Sequence, residues 1–163
     1  MDLWDKYRVC DKQTIVIIGV LVLSAKLAKA DGQFSILEEE EILKIVPHEP
    51  RQRKLLLSIL EEGGNDKNSI EYHASKLKKL LGHDHPEFYE FIIAVLYRLA
   101  HSDHVYSEEE DNDIRIVASV FGIQKTYLEK IFDFSIKVKS HIFLNIKKIN
   151  NKITKREINA KSS

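Results

Sequence analysis

The chain has 163 residues, 44% apolar and 31% charged, a composition typical of one soluble globular domain that is long enough to bury a core. Its formal net charge is zero, but residues 136–163 carry eight Lys/Arg and one Asp/Glu, whereas residues 1–135 carry 17 basic and 24 acidic residues. An acidic body with a basic tail argues against a dedicated nucleic-acid binder, and the single Cys10 excludes an internal disulfide or a CxxC metal pair.

The sequence divides into three predicted regions. Residues 1–12 form an arm with Trp4 as its aromatic anchor, residues 13–135 form a helical domain, and residues 136–163 form a basic tail that is helical or frayed. The apolar run over residues 15–25 is about half as long as the roughly 20 residues that a membrane span requires. It therefore predicts a central buried helix over residues 13–29, with a membrane contact as the alternative.

Helix-capping and helix-breaking residues divide the rest of the domain into six further helices. The residues that open helices 2 to 7 are Ser35, Pro50, Asn68 (with Glu71), Pro86, Ser107 and Thr126. Helices 2, 3, 4 and 6 are predicted to end at Pro47, Gly63–Gly64, Gly82 and Gly122. The apolar pattern of helix 7 extends as far as Ile149. Seven helices and no strand pattern predict an all-α fold.

One pattern occurs twice. Residues 27–38 (LAKADGQFSILE) and residues 99–110 (LAHSDHVYSEEE) share the form D-x-x-[FY]-S-x-x-E at an offset of 72 residues. In each copy an apolar helix ends just before the acidic turn and a second helix begins at the serine. We therefore predict two related helical halves around two central apolar helices, helices 1 and 5.

The repeated turns supply the candidate site. If helices 1 and 5 are adjacent, the two turns could bring four carboxylates together, those of Asp31, Glu38, Asp103 and Glu110. Carboxylate oxygens are the ligands that Ca²⁺, Mg²⁺ and Mn²⁺ prefer, so a divalent cation is the tentative cofactor. One alternative is that Ser35 and Ser107 pair with the glutamates only as helix caps. Another is an acidic patch for a basic partner protein.

The sequence contains no pattern typical of an enzyme active site. It has no G-x-S-x-G, no P-loop, no G-x-G-x-x-G and no Cys/His dyad. The histidine pairs at 83/85 and 101/104 lack the i, i+4 spacing that would place two zinc ligands on one helix face. We therefore expect a non-enzymatic protein.

The tail interleaves apolar residues with a set of basic ones, among them Lys147, Lys148, Lys152, Lys155 and Arg156. Such a segment could lie on an anionic lipid surface, dock on the acidic body of its own or another molecule, or stay solvated. We expect a cytoplasmic protein, with a peripheral position at the inner face of a membrane as the alternative for this tail.

The doubled A-K-A-D-G and A-H-S-D-H blocks, each followed by S-x-x-E, resemble the TerB-like (tellurite-resistance-associated) helical family over roughly residues 13–133. The blocks at 15–46, 71–81 and 91–122 look most like the version N-terminal to the J domain in DjlA-type DnaJ co-chaperones. The chain departs from that version in two ways. His104 stands where the second copy usually has glycine, and no J domain is expected after helix 7.

The resemblance implies an all-helical accessory module of two related halves. By position it also implies a metal or partner site at Asp31, Glu38, Asp103 and Glu110. The expected function is an interaction or regulatory module near a stress-response or chaperone system, with a protein as its partner. A divalent-cation-binding protein of tellurite-resistance type and a peripheral membrane protein are the alternatives.

Overall fold

The computed structural model describes residues 2–29, 36–46, 48–101 and 107–137, and these residues form seven α-helices and no strand. The helices are α1 (Lys12–Lys29), α2 (Ile36–Ile45), α3 (Arg53–Asn65), α4 (Ile70–Leu81), α5 (Pro86–Ala100), α6 (Glu108–Val120) and α7 (Lys125–Lys137). Short 3-10 turns at Leu3–Lys6 and Pro50–Gln52 precede α1 and α3. The predicted all-α class is confirmed.

Two related halves are visible in the helix boundaries. Moving α3 along the chain by 72 residues gives the boundaries of α7, and the same offset places α1 over α5 and α2 over α6. The contacts repeat as well: α1 packs on α3 as α5 packs on α7, and α1 contacts α6 as α5 contacts α2. With α1 packed against α5, this is the pattern expected of a pseudo-twofold relation between the halves.

Helices α1 and α5 form the centre of the core, because their apolar residues run almost all round. In α1 the side chains of Leu21, Val22 and Leu23 are completely buried, and in α5 those of Ile92, Ile93, Val95 and Leu96 are too. The apolar run at 15–25 is therefore part of a buried core helix. No helix in the described part of the chain combines the length and hydropathy needed to cross a bilayer.

Two predicted helix boundaries differ from the structure by one residue. Gly63 and Gly64 lie inside α3 and are buried. At Gly63 the helix approaches the backbone of α1 closely at Val22 and needs a small residue. Ser69, not Asn68, caps α4: its hydroxyl accepts a hydrogen bond from the Tyr72 amide at 3.1 Å. The backbone amide of Asn68 instead donates to Oδ1 of Asp66 at 2.8 Å.

Candidate functional site

The best-defined part of the candidate site is the first turn of α6. Oγ of Ser107 accepts a hydrogen bond from the Glu110 amide at 3.1 Å. Oε1 of Glu110 in turn accepts from the Ser107 amide at 3.3 Å and from its hydroxyl at 3.1 Å. This is the capping box that the S-x-x-E spacing predicts. Glu110 is only 2% exposed, and its carboxylate helps to hold the start of the helix.

The same turn concentrates negative charge. Glu108, Glu109, Glu110 and Asp111 follow one another at the helix N-terminus, where the helix dipole favours carboxylates. One turn further on, partial burial raises the pKa of Asp113, and the charges of Glu109 and Glu110 raise it further. An added cation would relieve this repulsion between carboxylates.

Only part of the cluster is neutralised by the residues that the structure describes. Asp111 forms an ion pair with Nε of Arg115 at 2.7 Å, one helical turn away. Glu108, Glu109 and Asp113 form no ion pair with any residue in the described ranges. Glu108 and Glu109 are exposed, so their charges face solvent.

The acidic turn lies beside the end of α5. Tyr97 of α5 is 2% exposed, and its ring packs edge-on against Phe132 of α7 at 5.0 Å. Burial raises the pKa of Tyr97 to about 12, although the Arg115 charge lowers it in part. One turn later, Nδ1 of His101 lies 2.8 Å from the Tyr97 carbonyl oxygen and its ring packs on the same Phe132. Aromatic contacts thus join the end of α5 to α7.

Most of the other predicted site residues lie outside the described residues. This holds for Asp31, Ser35 and Asp103, and for the side chain of Glu38. It holds also for the basic tail residues Lys147, Lys148, Lys152, Lys155 and Arg156. The meeting of the four carboxylates therefore stays a prediction, whereas the Ser107–Glu110 cap is confirmed.

No group of three or more His, Cys, Asp or Glu side chains in the described ranges is arranged to hold a metal ion. His85 lies at the start of α5, where Nδ1 is 3.2 Å from a carboxylate oxygen of Glu87 and the ring packs on Phe88. A divalent-cation site formed by residues 31, 38, 103 and 110 thus remains an expectation from the sequence.

A buried polar network was missed by the sequence reasoning. The indole Nε1 of Trp4 donates to Nδ1 of His73 at 3.0 Å, and Nε2 of His73 lies 3.0 Å from Oδ1 of Asp66. Nζ of Lys26, in α1, donates to the Asp66 carbonyl oxygen. His73 is completely buried, and this burial lowers its pKa, while the Asp66 charge acts in the opposite direction.

An open groove of about 380 Å³ lies at the other end of α5, beside the start of α7. Tyr89, Phe121 and Tyr127 line it together with Glu90, whose carboxylate raises the pKa of Tyr127. The described residues that line the groove include no nucleophile paired with a general base, which is the pairing that a hydrolytic site needs.

Comparison with known proteins agrees with the fold. A family model described as "Tellurite resistance protein TerB" matches residues 18–132, which run from the first half of α1 to the middle of α7. No curated protein and no solved structure matched the chain. The closer likeness to DjlA-type co-chaperones stays a prediction.

Proposed function

Because the chain belongs to the TerB family of tellurite resistance proteins, we propose that it is a non-enzymatic helical module that binds a cationic partner through its acidic turns. The observation that carries this proposal is the first turn of α6. The Glu110 carboxylate caps the helix, and the carboxylates of Glu108 and Glu109 are exposed to solvent. A rigid helix start that displays several carboxylates suits the recognition of positive charge.

The duplication supports a composite surface. Each half carries one D-x-x-[FY]-S-x-x-E pattern between its first two helices. Those helices contact each other across the halves, since α1 packs against α5 and α6, and α5 packs against α2. The proposal is that Asp31 and Glu38 extend the acidic surface formed by Asp103, Glu108 and Glu109.

A basic surface of a partner protein is the ligand that this arrangement favours. The exposed glutamates lie on a helix and are free to pair with several Lys or Arg side chains at once. A divalent cation held by Asp31, Glu38, Asp103 and Glu110 is the second candidate, favoured by the chemistry of carboxylate oxygens. A role near a stress-response or chaperone system belongs to the same proposal.

The first test is thermal unfolding of metal-stripped protein titrated with Ca²⁺, Mg²⁺, Mn²⁺ and Zn²⁺, beside the double variant Asp31→Asn/Asp103→Asn. A cation at about 100 times its Kd adds roughly 2.7 kcal/mol of stability, which moves the unfolding midpoint clearly. A shift that the double variant abolishes supports the cation site. A flat response to all four metals removes the cation candidate and leaves the protein partner.

The second test measures salt-dependent binding of a fluorescent Lys-rich peptide to the full chain. We expect Glu108→Gln/Glu109→Gln to weaken binding, because these exposed carboxylates do not cap the helix. The matched control, Glu61→Gln/Asp84→Asn, removes two exposed charges elsewhere, one in α3 and one before the start of α5, and should bind nearly as the parent does. Equal loss in both double variants, or no binding at low salt, would contradict the proposed surface.

A further inference from the structure

We propose that the open groove beside the start of α7 binds an arginine side chain of a partner protein, with the guanidinium on the aromatic lining and paired with Glu90. This site goes beyond the proposed function, because it lies at the opposite end of α6 from the acidic turn. Three observations carry it: the aromatic lining, the charge of Glu90, and the residues at the corresponding positions of the first half.

Three aromatic residues from different parts of the fold line the groove. They are Tyr89 of α5, Phe121 at the end of α6, and Tyr127 of α7. The ring centroids of Tyr89 and Phe121 lie 4.6 Å apart, and the Tyr89 hydroxyl donates to the Gly82 carbonyl oxygen at 2.5 Å, which fixes that ring. Tyr127 is 43% exposed and so remains accessible to a ligand. The face of an aromatic ring attracts a cation, and arginine is found there more often than lysine.

Glu90 gives the groove a negative charge, and no other described residue that lines it is charged. Within the described ranges Glu90 forms no ion pair. Its carboxylate raises the pKa of Tyr127, so the negative charge lies beside the exposed ring. Lys125, the nearest basic residue along the chain, is exposed and is not part of the lining. An apolar ligand would cover the carboxylate without pairing it, which costs free energy, whereas a cation would pair with it.

The helix dipoles do not decide the sign of the ligand. The C-terminus of α6 meets the N-termini of α5 and α7 at the groove, and these ends carry opposite partial charges. The Glu90 carboxylate is therefore the feature that selects a cation.

The first half shows that the fold does not require this lining. At the offset of 72 residues, Tyr89 and Glu90 correspond to Ile17 and Ile18, and Tyr127 corresponds to Leu55. Helix α1 nevertheless packs on α3 as α5 packs on α7. Two helices with matching boundaries thus pack together without a carboxylate or an aromatic ring at these positions.

The openness of the groove favours a side chain that enters from a partner protein. A site for a free small molecule encloses most of its ligand, whereas here the backbone of the ligand can stay in solvent. The apolar stem of an arginine can pack on Pro86 and Ile123. Its planar guanidinium can stack on a ring and donate two parallel hydrogen bonds to one carboxylate, which the compact ammonium of lysine cannot do.

The turn between α6 and α7 is held by backbone hydrogen bonds. The Gly122 amide donates to the Ser119 carbonyl oxygen at 3.0 Å, and the Ile123 amide donates to that of Ala118 at 2.9 Å. Gly122 has a φ of 77°, the left-handed conformation that suits glycine after a helix end. Because this side of the groove is ordered without a ligand, binding costs little conformational entropy there.

The first test is a titration of the isotope-labelled full chain, followed through its backbone amide chemical shifts. The probes are capped pentapeptides of glycine and serine with arginine, citrulline or lysine at the centre, and citrulline has nearly the shape of arginine without its charge. We expect the arginine peptide to shift the amide signals of Gly122 and Tyr127. The citrulline peptide should bind about tenfold more weakly, and the lysine peptide several-fold more weakly.

Three results of this titration would overturn the proposal. Equal binding of the citrulline peptide would make the groove an apolar site, and equal binding of the lysine peptide would remove the role of the planar guanidinium. Shifts confined to residues 107–111, or no shifts at all, would mean that the groove does not bind the peptide.

The second test repeats the arginine titration with variants. Glu90→Gln removes the charge with little change of shape, and Tyr127→Leu introduces the residue type that the first half has at Leu55. We expect each variant to weaken binding about tenfold while its thermal midpoint stays within about 2 °C of the parent. Unchanged binding in either variant would overturn the proposal.

Two controls separate the groove from the other acidic surfaces. Glu61→Gln removes an exposed charge of α3, and Glu108→Gln/Glu109→Gln removes the exposed charges of the acidic turn. Both should leave the shifts at Gly122 and their midpoint unchanged, so the groove and the acidic turn can fail independently. A loss as large as that in Glu90→Gln would show attraction to negative charge in general and would contradict a site in the groove.

Discussion

Gly63 of α3 lies directly against the backbone of Val22 in α1. A Cβ atom added at Gly63 would be 3.1 Å from Cα of Val22, closer than two carbon atoms pack without strain. The corresponding residue of α7 is Ser135, which is small and 1% exposed. Both halves therefore have a small residue at this position of the helix that packs on the central one, α3 on α1 and α7 on α5.

Gly63→Leu should destabilise the protein by about 1–3 kcal/mol or more, because the added atoms meet backbone that cannot move aside. This steric penalty exceeds the gain of under about 1 kcal/mol in helix propensity. Ser58→Leu, at an exposed position of the same helix, is the matched control and should be close to neutral. The free energies of unfolding in urea compare the two, and equal values would refute the close approach.

Ser107→Ala should lower the free energy of unfolding by about 1 kcal/mol, because the Glu110 amide loses its acceptor and the Glu110 carboxylate loses a donor. Ser119→Ala, at an exposed position near the other end of α6, tests the same substitution without a cap. Chemical denaturation of both variants measures the difference. A loss as large in Ser119→Ala would show that the cap is not the cause.

Acid should loosen the N-terminal arm through His73. An indole N–H can only donate, so the neutral imidazole must accept at Nδ1 and carry its proton on Nε2, toward Asp66. Protonating Nδ1 removes the acceptor of Trp4. Because burial lowers the pKa of His73 in the folded protein, the unfolded chain binds the extra proton first as the pH falls. Stability should therefore be full above the ordinary histidine pKa of about 6.5 and decline below it.

Denaturation between pH 8 and pH 5 measures this decline, and His73→Phe should flatten it. The charges of Asp66, Lys26 and Asp2 also act on the pKa of His73. The control is His48→Phe, which removes a histidine outside this network. It should keep the full decline. A pH profile that is unchanged in His73→Phe would assign the decline to other groups.

Tyr97 should ionise late in the folded protein. Its pKa is raised from 10.0 to about 12 by burial, so the neutral form is favoured by folding and stability is lost as the pH rises from 10 toward 12. Ultraviolet absorbance near 295 nm should show a late ionisation step that Tyr97→Phe removes. Tyr127→Phe, which changes an exposed tyrosine, should leave that step in place.

The sequence was sufficient for the architecture because its signals are local. Apolar periodicity, the Ser107–Glu110 spacing and the positive-φ Gly82 and Gly122 each act within one helix or one turn, and the structure contains all of them. The repeat at an offset of 72 residues could also be recognised in the sequence, and it predicted the central position of α1 and α5.

The features that the sequence did not predict depend on contacts between residues that are far apart in the chain. Nothing near Gly63 indicates that Val22 will pack on it, so the glycine pair looked like a helix end. Trp4 and His73 are 69 residues apart, and only folding shows that the buried imidazole holds the arm. Of the candidate site, the spacing predicted the cap on α6 but not the contact between Tyr97 and Phe132 at the end of α5.

The pseudo-twofold relation between the halves has a consequence for the origin of the domain. Helix α1 packs on α5, and each also contacts the second helix of the opposite half, so neither half could cover its central helix alone. A single 72-residue unit would need an identical copy to close its core, and two such copies would meet through one self-complementary interface. The present chain has the architecture of a symmetric homodimer fused into one polypeptide. Within one polypeptide the two acidic turns need not be identical, and they differ: Gly32 in one corresponds to His104 in the other.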